Sequence, residues 1–365
     1  MGDSARNEVD PDRLKMFSFL VFSKLEGAVT SGMIHLGDRL GLYRILADAT
    51  DSLSDDELAG RARLHPRWVR EWIRNQAAAR IIDVEFVDGV ELYGLSPEAR
   101  VVLADESHPA FGMGMFHRLP QTMNALEYLP ESFRTGLGRD YDSHGPDGAV
   151  GIERSFEPWS RSYLLPVVLP ALDGMVDRLE RGAAVADIGC GAGGAAIRMA
   201  TAFPRSSVVG YDISMHALDR ANERRSSEAV GNVEFRDPRR DPLPEDGSLD
   251  LVTAFDCIHD MTHPQDVMNS IRRSLRPDGT WLLVDIKALD TFEETMRKNP
   301  MASLMYGISV MSCMSSAMSL PGGAGLGTLG LPESKARAMA AEAGFTRFRR
   351  LDVEHSLNAF YEIKP

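Results

Sequence analysis

The stretch Val185-Ala186-Asp187-Ile188-Gly189-Cys190-Gly191-Ala192-Gly193-Gly194 decides the fold. It reads as an apolar strand that runs into a glycine-rich turn and opens a helix. Glycines at such a turn let the backbone approach a ligand that side chains would exclude. The turn falls at the carboxyl end of a strand, where open α/β sheets place their ligands. A GxGxG turn alone is weak evidence, because dinucleotide enzymes share it and structural turns mimic it.

The residues on either side supply the context. Strands over 183–188, 207–212, 232–236, 249–255 and 279–286 alternate with helices over 192–203, 215–229 and 264–275, and this alternation predicts a parallel, doubly wound sheet. The second strand, Val208 to Tyr211, ends at Asp212-Ile213, where a carboxylate can accept two hydrogen bonds from vicinal ribose hydroxyls. The third ends at Phe235-Arg236-Asp237-Pro238, and the fourth, Leu249 to Phe255, ends at Asp256. A helix over 333–343 and two closing strands over 346–353 and 357–363 complete the chain.

In the order and spacing of these motifs, residues 160–365 resemble the class I S-adenosylmethionine (SAM)-dependent methyltransferases. The shared run is Asp187 to Gly193, the ribose acid Asp212, the adenine-side acid Asp237, Leu243 to Val252 and Ala343-Gly344-Phe345. The resemblance implies a Rossmann-like seven-stranded α/β sheet with SAM as cofactor. It implies that Asp187 and the turn Gly189, Gly191 and Gly193 face the methionine part of SAM. Asp212 with Ile213 would hold the ribose, Asp237 with Pro238 would flank the adenine, and Asp256 would border the site.

Upstream, Leu14 to Ala47 is apolar at helical spacing and interrupted by Gly32, Gly37 and Gly41, which predicts two or three helices. Ser54 caps a short helix, His65-Pro66 opens another through Trp72, and the turn Asp88-Gly89 joins two strands. Helices followed by a two-stranded wing predict a mostly α winged-helix domain over 14–105, behind a disordered leader over 1–13. Residues 106–180 read as helical linker and active-site cover, and 181–365 as the catalytic domain with a lid insertion over 290–332. The winged helix in front of such a domain is similar to that of small-molecule O-methyltransferases and bacterial winged-helix methyltransferases, in which it dimerises and covers the site. A homodimer is therefore expected.

Composition narrows the partners. A formal charge of −13 opposes a large phosphate-binding surface. Arg67, Arg70 and Arg74 share a helix face that could read DNA, yet Asp51 to Asp105 holds eleven acids against seven arginines. A SAM-responsive DNA-binding regulator is thus the rival reading, and a non-catalytic SAM-binding scaffold the other. Cys190, Cys257 and Cys313 are widely spaced, which fits free thiols in a reducing, cytoplasmic setting. The acidic start lacks a signal-peptide pattern, and no run of about 20 apolar residues suggests a membrane span.

The chemistry centres on Asp256-Cys257-Ile258-His259-Asp260-Met261 after the fourth strand. In plant-type O-methyltransferases a similar segment supplies a histidine base, and His259 matches that position. Pocket lining and metal ligation are its alternatives; the metal reading combines His259, His263 and Asp260 without a widely separated third ligand. Asp285, after the fifth strand, or Asp260 would orient the imidazole. Pro300 to Pro332 contains no charged residue. Met301, Met305, Met311, Met314 and Met318 fall there near helical spacing, as core or as a pliable lid toward an apolar or aromatic acceptor. The acceptor atom, O, N, S or C, stays open.

Overall fold

The computed structural model describes residues 9–365. The chain clusters into two compact units, one ending at Leu119 and one spanning Pro120–Pro365. The predicted 106–180 linker is therefore shared between them, its first part packing with the N-terminal unit.

That unit holds α1 (Pro11–Arg39), α2 (Leu42–Asp48), α3 (Asp55–Ala62), α4 (Pro66–Ala78) and a hairpin of β1 (Asp83–Val87) and β2 (Val90–Gly94). Asp10 caps α1 by accepting from the amides of Asp12 and Arg13, so the helix starts inside the stretch read as leader; residues 1–8 lie outside the described residues. Gly32 and Gly37 do not interrupt α1, because one glycine costs a helix only about 1 kcal/mol relative to alanine. The break comes at Gly41, in the left-handed conformation at the start of α2. Ser54 and Glu57 form a capping box on α3, and Asp88 and Gly89, with φ of 50° and 82°, make the hairpin turn. The core gathers Leu42, Tyr43, Leu46, Leu58, Val69, Trp72 and Ile73.

Two features of this unit bear on partners. Along α1 only Thr30, Ile34, His35 and Gly37 are buried, while Phe17, Phe19, Phe22 and Leu25 lie open, Phe19 at 78 %. The three arginines of α4 are committed elsewhere: Arg67 pairs with Glu71, Arg70 with Asp55, and Arg74 with both oxygens of Glu91 at 3.0 and 2.8 Å.

The second unit carries β3 (Ala184–Ile188), β4 (Ser207–Tyr211), β5 (Val233–Arg236), β6 (Leu249–Phe255), β7 (Leu275–Ile286), β8 (Arg347–Arg350) and β9 (Asn358–Lys364). They form one seven-stranded sheet in the order β5-β4-β3-β6-β7-β9-β8. The first five are parallel and β9 runs antiparallel to both β7 and β8. β7 starts earlier than the predicted 279. Apolar clusters cover both faces, which is why β6 is buried at every position. Strand order reverses between β3 and β6, and that switch opens a crevice at the carboxyl edge where the predicted site residues cluster.

The insertion after β7 folds into helices Phe292–Lys298 and Ala302–Ile308, a π-turn Ser309–Cys313 and a last turn Met314–Ala317. Its methionines are not core. Met301, Met305, Met311, Met314 and Met318 are all exposed or half-buried, whereas Ser309, Ser312, Ser315 and Ser316 are buried. The inward face is polar because it binds backbone and side chains below it: Ser309 Oγ accepts from the Thr328 amide at 3.1 Å and Ser315 Oγ from the Arg139 amide at 3.1 Å. Among the described residues no helix is long and apolar enough to cross a membrane.

Candidate active site

Parallel strands end on the same edge, so Asp187, Asp212, Asp237, Asp256 and Asp285 are brought together from β3, β4, β5, β6 and β7. Gly189, Gly191 and Gly193 adopt left-handed φ of 65°, 54° and 76°. A side chain added at Gly191 would meet nothing within 4 Å, so this peptide borders open space rather than packing.

Asp187 is 1 % exposed. Its Oδ1 accepts from Thr253 Oγ1 at 2.6 Å, while Oδ2 is buried with no partner. Burial pushes this carboxyl up to about 7, with Asp212 adding to the shift and the Thr253 bond opposing it. Asp212 accepts from the Gly191 amide on Oδ2 and from the Ser214 amide on Oδ1, both at 2.8 Å. One lone pair on each oxygen remains for a pair of hydroxyls. Burial raises its pKa against those two amides.

Asp237 is held by a residue that sequence reading passed over. Arg239 grips both of its oxygens at 2.8 and 3.0 Å and donates to the Ile213 carbonyl at 2.8 Å, tying the ends of β4 and β5 together. The Arg239 bond holds the Asp237 carboxyl below the usual range. The two-residue spacing was visible in the sequence. Pro238 beside it is half-buried. Asp256 sits at φ 49°, rare for a side-chain-bearing residue, with its amide on the Val284 carbonyl at 2.9 Å and its carboxylate accepting from Asn358. Burial, then Asp285, raises its pKa.

His259 follows on a short 3₁₀ turn, Ile258–Asp260, and is 3 % exposed. Its Nδ1 lies 2.6 Å from Asp285 Oδ1, which also accepts from the Ile286 amide at 2.8 Å. Its Nε2 lies 3.1 Å from Asp260 Oδ1. Both predicted orienting acids are therefore in place, one on each nitrogen. Burial lowers the imidazole pKa, but Asp285 and Asp260 outweigh it and hold the ring well above its ordinary value. His263 instead precedes the helix Pro264–Ser274.

A cap lies over the cleft. Gly138 donates to the Met318 carbonyl at 3.0 Å, and a side chain there would sit 2.0 Å from the Ser315 carbonyl oxygen, so only glycine fits beneath the lid. Asp142 Oδ1 accepts from Ser214 Oγ at 2.8 Å, and His144 Nε2 lies 3.0 Å from Ser312 Oγ. The slot between Tyr141, His144, Gly191, Asp212 and Ser214 has a volume of about 20 Å³, room for one water. Leu126, Leu129 and Phe133 with Val310 and Met311 of the insertion line an apolar groove of about 480 Å³.

The glycine cradle, the orphaned Asp187 oxygen and the two free lone pairs of Asp212 fit a ligand that joins a cation to a ribose, as SAM does. Residues 179–344 match the family model described as Methyltransferase domain, and residues 28–104 that of the Rv2258c-like winged HTH domain. The C-terminal part of the chain is a SAM-dependent methyltransferase domain. A winged helix stands before it. Over 110 residues, 29 % of this chain, the methyltransferase is 39 % identical to the 27-O-demethylrifamycin SV methyltransferase of Amycolatopsis mediterranei, and it spans 40 % of that protein's length. Among solved structures it is similar to human N-acetylserotonin methyltransferase in complex with SAM, at 17 % identity and a TM-score of 0.68 over 100 % of this chain and 99 % of that one. A mitomycin 7-O-methyltransferase matches at 19 % identity and 0.67 over 97 % and 99 %. These likenesses establish a shared fold.

Proposed function

We propose that this methyltransferase transfers the methyl group of SAM to a small, apolar or aromatic metabolite, on oxygen. The observation that supports the reading is the buried His259 and Asp285 pair, which follows β6 and β7 at the same sheet edge as the Gly189 to Gly193 turn after β3. The acceptor side is supported by the apolar groove, whose volume is that of a small-molecule site, and by metabolite O-methyltransferases among the relatives and neighbours.

SAM supplies an electrophilic methyl: the acceptor lone pair forms the new bond as the carbon–sulfur pair leaves to sulfur. This chain's residues position and deprotonate. Asp187 would face the cationic methionine part, Asp212 with Ile213 the ribose, and Asp237 with Pro238 the adenine; Asp256 would complete the cofactor-binding set. Asp285 keeps the Nδ1 proton of His259 in place; the Nε2 proton, which Asp260 holds on the ring, leaves to solvent through Asp260 first, and the freed Nε2 then takes the proton of the acceptor hydroxyl. The exposed apolar face of α1 supports a homodimer through the winged-helix domain, over 14–105. The carboxylate-paired arginines of α4 support dimerisation over a DNA-reading role. Free, buried or half-buried cysteines agree with a cytoplasmic setting.

The test is incubation of the protein with SAM and a metabolite extract, followed by mass spectrometry. A product heavier by one CH₂, absent with His259→Ala, is the expected result. SAM binding with no methylated product from any fraction would turn the reading toward a SAM-binding scaffold.

A further inference from the structure

Three ligand-bearing side chains converge beneath the lid, and the methyl-transfer reading uses only part of them. His259, Asp260 and Cys313 each offer one ligand atom, all within 4.8 Å of one another. They come from two elements 53 residues apart, the turn after β6 and the π-turn Ser309–Cys313 of the lid. A π-turn widens a helix locally and re-aims its side chains, and such turns recur at functional sites.

The three side chains interact mainly with one another. Asp260 Oδ1 is buried 3.1 Å from His259 Nε2. Cys313 lies beside both His259 and Thr328, whose Oγ1 is buried. Asp285 holds Nδ1, which fixes the ring and presents Nε2, the carboxylate–histidine arrangement that supports metal ligands. Tetrahedral zinc keeps ligand atoms about 3.4 Å apart, which the 3.1 Å between His259 Nε2 and Asp260 Oδ1 already approaches, so Cys313 Sγ would draw in by up to about 1.4 Å through side-chain rotation. Thiolate, imidazole and one carboxylate select a soft divalent ion over magnesium or calcium, which take mostly oxygen ligands.

We propose that His259 Nε2, Asp260 Oδ1 and Cys313 Sγ form a site for a soft divalent cation of the zinc class, which fastens the lid to the end of β6. Binding releases the Cys313 thiol proton and the Nε2 proton to solvent. The occupied site removes Nε2 from proton transfer, so the cation holds the enzyme closed and inactive, and its removal frees both lid and base. The cation site goes beyond methyl transfer and needs no SAM, whereas its effect on activity rests on the proposed role of His259 as base.

Full-length protein stripped with a chelator and titrated with Co²⁺ gives the test. The expected result is one equivalent of Co²⁺ per chain with a thiolate-to-cobalt charge-transfer band and intense tetrahedral visible bands, bleached by Zn²⁺. The bands should vanish in Cys313→Ser and persist in Cys190→Ser and Cys257→Ser. Zn²⁺ should also raise the thermal midpoint of the wild type and not of Cys313→Ser or Asp260→Asn. No charge-transfer band in the wild type, or an equal band in Cys313→Ser, overturns the site. Calorimetry with SAM on the same samples keeps the two readings apart: absent SAM binding sinks the methyltransferase reading and leaves the cation site standing.

Discussion

His259 Nδ1 and Asp285 Oδ1 meet at 2.6 Å across the carboxyl ends of β6 and β7, both nearly buried. That contact fixes the imidazole's tautomer and aim, as a carboxylate does for a catalytic histidine elsewhere. Asp285→Asn should therefore lower kcat by about 10–100-fold, and His259→Ala by about 10²–10⁴-fold. SAM affinity should stay within about twofold for both, because neither side chain faces the ribose. Steady-state kinetics and calorimetry on the two variants check this; equal losses of affinity and rate would move His259 into the cofactor site.

Asp212→Ala removes the carboxylate proposed to hold the ribose hydroxyls and the bridge between the Gly191 and Ser214 amides. Truncation of such a contact costs about 2–3 kcal/mol, so SAM should bind at least about 30-fold more weakly by calorimetry. Unchanged affinity would remove the ribose assignment.

Asp187 makes the apoprotein's stability depend on pH. Its pKa of about 7 in the fold lies above the ordinary carboxylate value, so the folded chain keeps a proton that the unfolded chain gives up near pH 4. The stabilisation is complete below that value and is lost as pH rises to about 7, by on the order of 4 kcal/mol. Asp187→Asn should flatten the decline in urea-unfolding free energy between pH 5 and about pH 8. A wild-type profile parallel to that of the variant would show that Asp187 is not buried without a partner.

The slot beside Asp212 is lined by Tyr141, His144 and Gly145 as well as by Gly191 and Ser214, so movement of the 141–145 segment would gate access to Asp212. Asp142→Ala breaks its bond to Ser214 at 2.8 Å, worth about 0.5–1.5 kcal/mol. Stopped-flow association of SAM should quicken by about 2–12-fold, with faster amide exchange across 138–145. No change in either rate would mean that the cap is held elsewhere.

The open face of α1 predicts a dimer of twice the 40.2 kDa chain mass. The double variant Phe19→Glu/Phe22→Glu should shift light scattering to the monomer mass at micromolar concentration, since two charges in an apolar contact are left unpaired. A wild-type monomer independent of concentration would refute the interface.

The sequence by itself determined the sheet and the cofactor edge. A strand period, a glycine turn and an acid at the end of each strand are local signals, and parallel strands carry every such end to the same side. Hence the gathering of Asp187, Asp212, Asp237, Asp256 and His259 at one sheet edge was legible in the sequence, as were the helix cap at Ser54 and the turn at Asp88-Gly89. Only the tertiary structure decided what faces what across distance. Nothing near Cys313 in the chain announces His259, and nothing near Asp142 announces Ser214, because both meetings depend on how loops far apart in sequence fold back over one edge. The lid shows the limit most clearly. Methionine spacing there left core and pliable lid both open; with no charge to set a solvent face, the choice fell to the serines, whose hydroxyls found backbone partners while the thioethers stayed exposed or half-buried.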